Sequence, residues 1–450
     1  MTRPKPKNFI LLVEVLAREL AASVLLGAEL SARGHNVWLI EKDRFRKSPA
    51  SFQPSIVLEK GLTKGCLDKY RAIRSAGHVL AVMSQEGFTY RSGDDYIERR
   101  VCAETAKYVD YLFFWGEREK QDLSRLVSMV PRSKVTGNPR FDLLHRRFHK
   151  SWMAQEMEIK RECGDFVLFT SRFSAVNHFR RSLTQTVDRR KHQYTGRAAE
   201  SLPRRLALLE QLLAEYVGVI GAMAARFPDV TFIVRPHPME NAELWRAHFK
   251  DRANVMIRAD GMALPWLSAA RCVIHNCCTT GIEAYMLGRP VTEFYSSAVP
   301  YSEFDPTLPG EVTGVCESAD ALAAWIETHM KGEATINSRR MRADELIASH
   351  LHNHKEPDAH THIATALESL QAPGLWAKLR NKMSGEHAPK KMQKRYIDLD
   401  EVNALLRAYV ACNVRDQFVP AVVDDVGIRL QQRQLNREQN AGTEDSLHGQ

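Results

Sequence analysis

The alternation of apolar and polar positions at the start of the chain predicts a strand, a helix and a second strand. An apolar run at 10–15 precedes a segment in which apolar residues recur at every fourth position from Leu16 to Ala28, and a second apolar run follows at 37–40. A four-residue spacing places these side chains on one face of a helix. Short apolar strands joined by a helix are typical of a parallel sheet covered on both faces.

The same alternation continues along the chain in two series. The first continues to about Arg140, with strands predicted at 55–58, 78–83, 111–115 and 134–136 and helices at 66–76, 100–107 and 117–127. The second has strands at 166–169, 230–234, 254–257, 272–275 and 291–295 and helices at 204–226, 263–269 and 280–287. We therefore predict an α/β protein with two doubly wound, Rossmann-like domains, at 1–145 and 160–370.

Length and composition agree with two domains and an appendage. At 450 residues and 44% hydrophobic content, the chain exceeds the size of one ordinary core. Two packed domains imply a cleft between them. After residue 370 the composition turns to Gly, Lys and His, with one helical pattern at 399–411 and few apolar residues in 431–450. We expect a C-terminal helical extension at 371–450 that ends in a disordered tail.

The formal net charge of +9 arises largely from Lys and Arg at the N-terminus, in 172–205 and in 375–395. The basic stretch 172–203 separates the first strand of the second domain from its long helix. It is too long for an ordinary connection, so we expect it to be functional or mobile. Such clusters attract phosphates, anionic membranes or nucleic acid, and charge alone does not distinguish these ligands.

The chain carries no evident export signal in its first apolar stretch. Residues 9–26 are interrupted by Glu14, Arg18 and Glu19, which excludes a signal peptide or a membrane span there. The eight cysteines are scattered without C-x-x-C spacing, which argues against a disulfide framework and a zinc cluster. We expect a cytoplasmic protein with reduced thiols.

Ligands of open α/β sheets bind beyond the carboxyl ends of the strands, so loops that follow strands are the candidate sites. In the loop after the strand at 230–234, Pro236 and Pro238 restrict the backbone around Arg235 and His237. A histidine there is suited to bind a phosphate or a leaving-group oxygen. The alternative is that the prolines only end the strand and that His237 is structural.

A second candidate loop follows the strand at 272–275 and contains Asn276, Thr279, Thr280 and Gly281. Small hydroxyl residues and glycine at the start of a helix expose backbone N–H groups to an anion, which predicts a phosphate site. Glu283 lies three or four positions further on, and the alternative is a capping box that only closes the helix. The two loops occur in successive β-α units and are expected to converge on one crevice.

The first domain contributes a third candidate loop after its strand at 78–83. It contains Gln85, Glu86 and Gly87. A carboxylate beside glycine at a strand end, facing the cleft, is placed to act as the general base for an acceptor hydroxyl.

A further segment, 135–142, is punctuated by glycine, asparagine and proline at a strand end and contains Asn138 and Arg140. Such punctuation predicts either an interdomain switch or a simple turn. We expect a domain boundary that contacts the cleft.

Several common motifs are absent from the sequence. There is no P-loop, no G-x-G-x-x-G after a strand, no H-E-x-x-H, and no D-x-D in the first domain. We predict no cofactor and no bound metal. The histidines at 350, 352, 354, 360 and 362 resemble a metal tract, but their spacing and Pro357 favour a solvated helix end.

Taken in order, these motifs resemble the bacterial surface carbohydrate biosynthesis protein family. The resemblance covers about residues 8–370. Its most specific part is Thr-Gly-Asn-Pro-Arg-Phe-Asp at 136–142. It is also carried by Leu-Leu-Val-Glu-Val at 11–15, Arg-Glu-Leu at 18–20, Gln-Glu-Gly-Phe at 85–88, Phe-Trp-Gly at 114–116, Arg-Pro-His-Pro at 235–238, His-Asn at 275–276 and Thr-Thr-Gly-Ile-Glu-Ala at 279–284.

The three loops are also similar to those of GT-B sialyltransferases and Kdo transferases, which use CMP-activated acidic sugars without a metal. This resemblance implies that Glu86 is the acceptor base, that His237 contacts the nucleotide and its phosphate, and that Thr279 and Thr280 hold phosphate. It also implies an N-terminal acceptor domain and a C-terminal donor domain. Where the related transferases have two acids before glycine, this chain has Gln85 and then Glu86. Either Glu86 is the base, or the mechanism differs and is, for instance, a double displacement.

The resemblance implies a transferase that moves an acidic sugar from a CMP donor onto a surface glycan, as in capsule or lipopolysaccharide, or onto a lipid-linked acceptor. The expected partners are a nucleotide-sugar and a glycan or glycolipid, with the positive patches at the inner membrane leaflet and no nucleic acid. One alternative is a polyol-phosphate transferase similar to those that use CDP-glycerol. Another is a non-catalytic nucleotide-sugar binding protein.

Overall fold

The computed structural model describes residues 5–299, 305–331, 339–371, 397–414, 421–423 and 427–430. They form two mainly parallel sheets, each with helices packed on its faces, and the predicted fold class is confirmed. Each sheet lies between layers of buried apolar side chains. The architecture follows from the sequence because strands that are apolar on both sides require cover on both faces.

The first sheet contains six parallel strands from the N-terminal part of the chain. They are β1 (Asn8–Val13), β2 (Asn36–Glu41), β3 (Ile56–Glu59), β4 (Val79–Met83), β5 (Tyr111–Phe114) and β6 (Ser133–Val135). Their spatial order is β2-β1-β3-β4-β5-β6. The chain winds outward from β1 in both directions, so the carboxyl ends of these strands share one edge of the sheet.

The helices of this domain follow its strands. They are α1 (Leu16–Ala32), α2 (Lys42–Lys47), α3 (Leu67–Ser75), α4 (Gly93–Arg100), α5 (Ala103–Ala106), α6 (Glu117–Asp122), α7 (Ser124–Val127) and α8 (Pro139–Asp142). The helix predicted at 100–107 is confirmed only at 103–106, where α5 lies, and its start is wrong. Helix α4 begins earlier because the Ser92 hydroxyl accepts a hydrogen bond from the Asp95 amide. It ends at Arg100 because Val101 is extended and bridges Leu62.

The second sheet consists of six parallel strands in the order β12-β11-β10-β7-β8-β9. They are β7 (Phe166–Thr170), β8 (Thr231–Arg235), β9 (Val255–Ile257), β10 (Cys272–His275), β11 (Val291–Phe294) and β12 (Val315–Cys316). Its helices are α9 (Met153–Cys163), α10 (Leu183–Gln193), α11 (Gly196–Glu200), α12 (Leu202–Arg226), α13 (Ala242–Phe249), α14 (Ala263–Ala269), α15 (Thr279–Met286), α16 (Leu308–Thr313) and α17 (Ala319–Lys331).

The last described segments return to the first domain. They are α18 (Arg339–His350), α19 (Ala359–Glu368), α20 (Leu399–Ala411), β13 (Val422–Val423) and β14 (Ile428–Leu430). Strand β14 pairs antiparallel with β2, which the sequence analysis missed because three residues carry no readable period. The helix predicted at 399–411 is confirmed. The basic run at 375–395 and the predicted disordered tail at 431–450 lie outside the described residues. The boundaries at 145, 160 and 370 stay predictions.

Asp142 attaches the returning chain to the first domain. Its buried carboxylate accepts hydrogen bonds from Asn353 Nδ2 (2.7 Å), from the amides of Ala359 and His360, and from His360 Nδ1 (2.8 Å). His360 is only 2% exposed, so the interpretation of the histidine tract as a solvated helix end is wrong at this residue. Within the described ranges, no group of three or more potential ligands is placed to hold a metal ion.

One described helix, α12, is long and apolar enough to cross a membrane by length and composition alone. Its apolar face packs in the core of the second domain through residues such as Leu206, Tyr216 and Ile220. The N-terminal stretch 9–26, which the sequence excluded as a span, forms β1 and the first part of α1.

Candidate functional site

A cavity of ≈ 360 Å³ opens between the carboxyl-end loops of the two sheets. Loops from both domains line it, as expected for a site at strand ends. The predicted site residues on its wall are Gln85, Glu86, Arg140, Arg235, His237, Pro238, Thr279, Thr280 and Glu283. The structure thus brings together the three loops singled out in the sequence.

Two predicted glycines lie behind the wall, where they allow close packing. A Cβ atom at Gly87 would lie 2.3 Å from the Trp115 ring, and one at Gly281 would lie 2.3 Å from the His275 ring. The Trp115 indole N–H also donates to the Ser84 carbonyl (2.8 Å). These glycines therefore shape the loops by admitting a ring next to the backbone.

Two asparagines predicted as site residues, Asn138 and Asn276, support the site by holding neighbouring groups in place. Asn138 is the N-cap of α8, and its side chain accepts a hydrogen bond from the Arg140 amide (2.9 Å). Asn276 is buried; its side chain donates to the Phe294 carbonyl and accepts from Arg172 Nε (3.0 Å). Asn276 thus orients Arg172, which lines the cavity, instead of lining it itself.

Glu240 holds the His-Pro loop in place, and the sequence analysis did not single it out. Its buried carboxylate accepts hydrogen bonds from the Ser171 hydroxyl, the Phe173 amide and the Trp245 indole, and one from the His237 amide (3.3 Å). Burial raises the pKa of Glu240 to about 7 against the effect of these donors. The only sequence signal that could have identified Glu240 was its position three residues after His237, in the same loop.

The His237 imidazole is neutral and carries its proton on Nε2, the nitrogen that does not accept the hydrogen bond from the Met239 amide. Burial and the nearby Arg18 and Arg140 lower the pKa of His237 to about 4, although Glu86 opposes the shift. The ring is therefore neutral at pH 7. Nδ1 accepts a hydrogen bond from the Met239 amide (3.1 Å), which places the proton on Nε2. His237 is thus a hydrogen-bond donor.

Arg235 lines the cavity, but its guanidinium is committed to the neighbouring loop. It donates to the carbonyls of Asp260 (2.8 Å) and Gly261 (3.0 Å) and lies over the Trp266 ring at 5.2 Å. Burial lowers its pKa to about 10. Arg235 therefore ties the loop after β9 to the loop after β8.

Helix α15 begins at the cavity with Thr279 and Thr280. Its N-cap, Cys278, has extended backbone and makes no side-chain cap hydrogen bond, so the alternative of a capping box with Glu283 is wrong. The Thr280 hydroxyl lies 2.8 Å from that of Thr170, at the end of β7. Glu283 instead forms an ion pair with Arg140 of the first domain (3.0 Å).

Glu86 faces the second domain as a carboxylate held between two arginines. Arg18 Nη1 lies 3.3 Å from Oε1 and Arg100 Nη2 lies 3.7 Å from Oε2, while the Thr89 hydroxyl donates to Oε2 (2.7 Å). Burial would raise the pKa of Glu86, but Arg100, Arg18 and Thr89 outweigh it and lower the pKa to about 2. Glu86 is ionised, and in this state it is a weak base.

No known protein family matches this sequence, and no curated protein matches it. The fold does match solved structures. The UDP-GlcNAc 2-epimerase of Methanocaldococcus jannaschii, in complex with UDP-GlcNAc and UDP, is 14% identical with a TM-score of 0.51, covering 80% of this chain and 99% of that one. The Neisseria meningitidis enzyme is 13% identical (TM-score 0.50; 81% and 99%), and the wall teichoic acid polymerase TagF is 12% identical (TM-score 0.51; 86% and 91%).

The chain has the GT-B fold. At such low identity the likeness establishes the fold and leaves the ligand to the residues of the cleft. Among the described residues, eight arginines line the GT-B cleft: Arg18, Arg99, Arg100, Arg140, Arg172, Arg190, Arg205 and Arg235. Two glutamates, Glu86 and Glu283, face them. The cleft is therefore strongly positive and suited to an anionic ligand.

Sequence reasoning missed most of these arginines. Arg18, Arg99 and Arg100 lie on helices, where a charged residue normally faces solvent. Arg172, Arg190 and Arg205 belong to the basic run 172–205, which was the signal available in the sequence. The others could not be found without knowing which surfaces enclose the cleft.

Proposed function

We propose that this protein is a glycosyltransferase that takes an acidic sugar from a CMP-activated donor and needs no metal ion. The observation that carries the proposal is the cleft itself, in which the His237 loop, the start of α15 and eight arginines line one cavity opposite Glu86. A nucleotide linked to an acidic sugar carries negative charge on both its phosphate and its sugar. Arg18 and Arg140, whose charges act on His237, supply positive charge that such a ligand requires.

The donor phosphate is assigned to the space between the His237 loop and the start of α15. His237 Nε2–H donates to a phosphate oxygen and stabilises the nucleotide as it leaves. Thr279 and the first amides of α15 offer further donors at the positive end of the helix. Arg140, held by Glu283, adds charge from the opposite domain.

Glu86 is assigned to the acceptor. The acceptor oxygen forms a bond to the anomeric carbon, the bond from that carbon to the phosphate oxygen breaks, and the hydroxyl proton moves to Glu86. A donor anion that engages Arg18 offsets part of the charge that holds the pKa of Glu86 at about 2. Donor binding thereby raises that pKa, so Glu86 becomes a stronger base only when the donor is present.

We propose that the basic stretch 172–203, called the insertion below, also places the protein at an anionic membrane. Phe179 and Leu183 are 43% and 37% exposed, and the Arg180 guanidinium lies over the Phe179 ring at 4.8 Å. An exposed apolar pair beside arginine suits the interface of anionic lipid. The protein should sediment with vesicles that contain anionic lipid and not with neutral vesicles. F179S should reduce sedimentation, whereas M157S, at a residue exposed on α9, should not.

Calorimetry with CMP, CDP, UDP and ADP tests the donor class. Preference for CMP supports the proposal, preference for CDP favours transfer of a polyol phosphate, and preference for UDP overturns the assignment. T279V should weaken nucleotide binding, and T328V, at an exposed threonine on α17, is the matched control. Nucleotide binding without release of CMP, over a broad panel of acceptors, would indicate a binding protein.

A further inference from the structure

The basic stretch 172–203 is folded and docked across the cleft. Its helices α10 and α11 belong to the second domain by sequence, but α11 contacts α4 of the first domain and α10 contacts the short helical turn at Lys64–Cys66. The amide of Thr195 donates to the Glu98 carbonyl (2.9 Å), and the amide of Ala198 donates to Glu98 Oε2 (2.8 Å). The basic stretch therefore bridges the two domains and contributes Arg190 and Tyr194 to the cavity wall.

Four arginines meet where the insertion docks. Arg99 and Arg100 come from α4, Arg190 from α10 and Arg205 from α12, and all four line the cavity together with Tyr194. Burial lowers the pKa of Arg190, and Arg99 and Arg100 add to the shift. Burial and Arg99 likewise lower the pKa of Arg205 to about 10. The positive charges are thus close enough to disfavour one another.

The acidic side chains that pair with this arginine cluster compensate it only in part. Asp95 pairs with Arg99 and lies 3.6 Å from Arg205, and Glu86 is shared between Arg100 and Arg18. In the part of the chain that the structure describes, Arg190 has no ion-pair partner. Folding several arginines into a cavity wall is unfavourable unless an anion joins them, so the cluster is arranged for an anionic ligand.

We propose that Arg99, Arg100, Arg190 and Arg205 form a second anion subsite, which binds a phosphate or carboxylate group of the acceptor. The proposal rests on the proposed transferase function and specifies its acceptor as acidic. Arg100 belongs to the cluster and its Nη2 lies 3.7 Å from Glu86 Oε2, so the subsite adjoins the carboxylate that takes the acceptor proton. The His237 loop and α15 of the second domain provide the separate site for the nucleotide.

A calorimetric titration of inorganic phosphate into protein saturated with CMP tests the subsite. The native protein should bind one further phosphate, and R190A should bind it at least tenfold more weakly while its CMP affinity changes less than twofold. R189A is the matched control, because Arg189 is the exposed neighbour on α10 and carries the same charge. Equal phosphate binding by R190A and R189A would overturn the proposal.

Further probes identify the anionic group and its role. Glycerol 1-phosphate and N-acetylneuraminic acid represent the phosphate and carboxylate, and the one that binds more tightly names the group. Neutral glycerol binding equally well overturns the proposal. With an acidic acceptor, R190A should raise the acceptor KM at least tenfold and leave the donor KM unchanged, and R190K should restore part of the loss. A rise in the donor KM alone would place the cluster in the donor site and overturn it.

Tyr194 provides a reporter of occupancy that does not depend on turnover. Burial raises its pKa, but Arg190, Arg99, Arg205 and Arg100 outweigh burial and lower it. Phosphate in the subsite should raise the pKa measured from tyrosinate absorbance, with Y194F identifying the signal. If CMP binds and this pKa does not respond to phosphate, the subsite fails while the transferase proposal stands. If phosphate acts and no nucleotide binds, the transferase proposal fails and the subsite remains.

Discussion

Arg140 and Glu283 form an ion pair across the cleft, with Arg140 Nη2 and Glu283 Oε1 3.0 Å apart. Their side chains are only 12% and 10% exposed. The Arg140 guanidinium also lies over the rings of Trp115 and Phe141, at 5.6 and 5.1 Å. The pair therefore joins α8 of the first domain to α15 of the second and sets their separation at the cavity.

Removing one partner of this pair should destabilise the protein. E283A leaves the Arg140 charge buried and unpaired, so we expect a loss of about 3 kcal/mol in the free energy of unfolding, measured by urea denaturation. E283Q should lose less, because its amide oxygen still accepts a hydrogen bond. E327A removes an exposed partner of Lys331 and should reduce the free energy of unfolding far less than E283A does. Equal effects of E283A and E327A would contradict a role for Glu283 in joining the domains.

Loss of the His237 imidazole should slow transfer. We expect H237A to lower kcat/KM at least about tenfold, because one charge-assisted hydrogen bond contributes roughly 1.5 to 3 kcal/mol. H248A, at an exposed histidine of α13, should leave kcat/KM unchanged. An unchanged kcat/KM for H237A would mean that His237 is a structural residue and does not act on the substrate.

The pH dependence of that step follows from the lowered pKa of His237. Protonation adds a positive charge that burial and Arg18 disfavour, so the neutral ring persists as the pH falls until about pH 4. In a plot of kcat/KM against pH, the protonation of His237 should therefore change kcat/KM near pH 4. H237A should lack this change. A change centred near 6.5, the ordinary value for histidine, would indicate an exposed ring.

Replacing Glu86 should separate binding from catalysis. E86Q removes the negative charge between Arg18 and Arg100, so CMP should bind several-fold more tightly, with a gain that salt reduces. If Glu86 accepts the acceptor proton, kcat should fall about a hundredfold or more. E104Q, at an exposed residue of α5, is the control for both measurements. An unaltered kcat in E86Q would exclude Glu86 as the base.

The attachment at Asp142 should govern the stability of the returning helices. D142N removes a buried charge that accepts four hydrogen bonds, which should cost about 2 to 4 kcal/mol and accelerate amide exchange in α19. D68N removes a carboxylate that is 92% exposed and should leave exchange in α19 unchanged. Unchanged exchange in D142N would mean that other contacts hold α19.

The strands and most helices could be predicted because their signal is local. The predicted strand at 272–275 matches β10, and the predicted helix at 263–269 matches α14, since apolar runs and helical spacing act within a few residues. The candidate loops were found for the same reason, as each follows a buried strand. The start of the helix predicted at 100–107 is wrong, because a serine cap begins α4 earlier and the isolated bridge at Val101 separates α4 from α5.

The sequence by itself therefore determined two α/β domains and the loops at their strand ends. Tertiary structure decided how the site is charged: Arg18 and Arg100 come from separate helices, and their approach to Glu86 is the main cause of its lowered pKa. It also decided that Glu283 pairs with Arg140 instead of capping its own helix. Periodicity and turn preferences act over neighbouring residues, whereas ion pairs and burial depend on side chains that only the folded chain brings together.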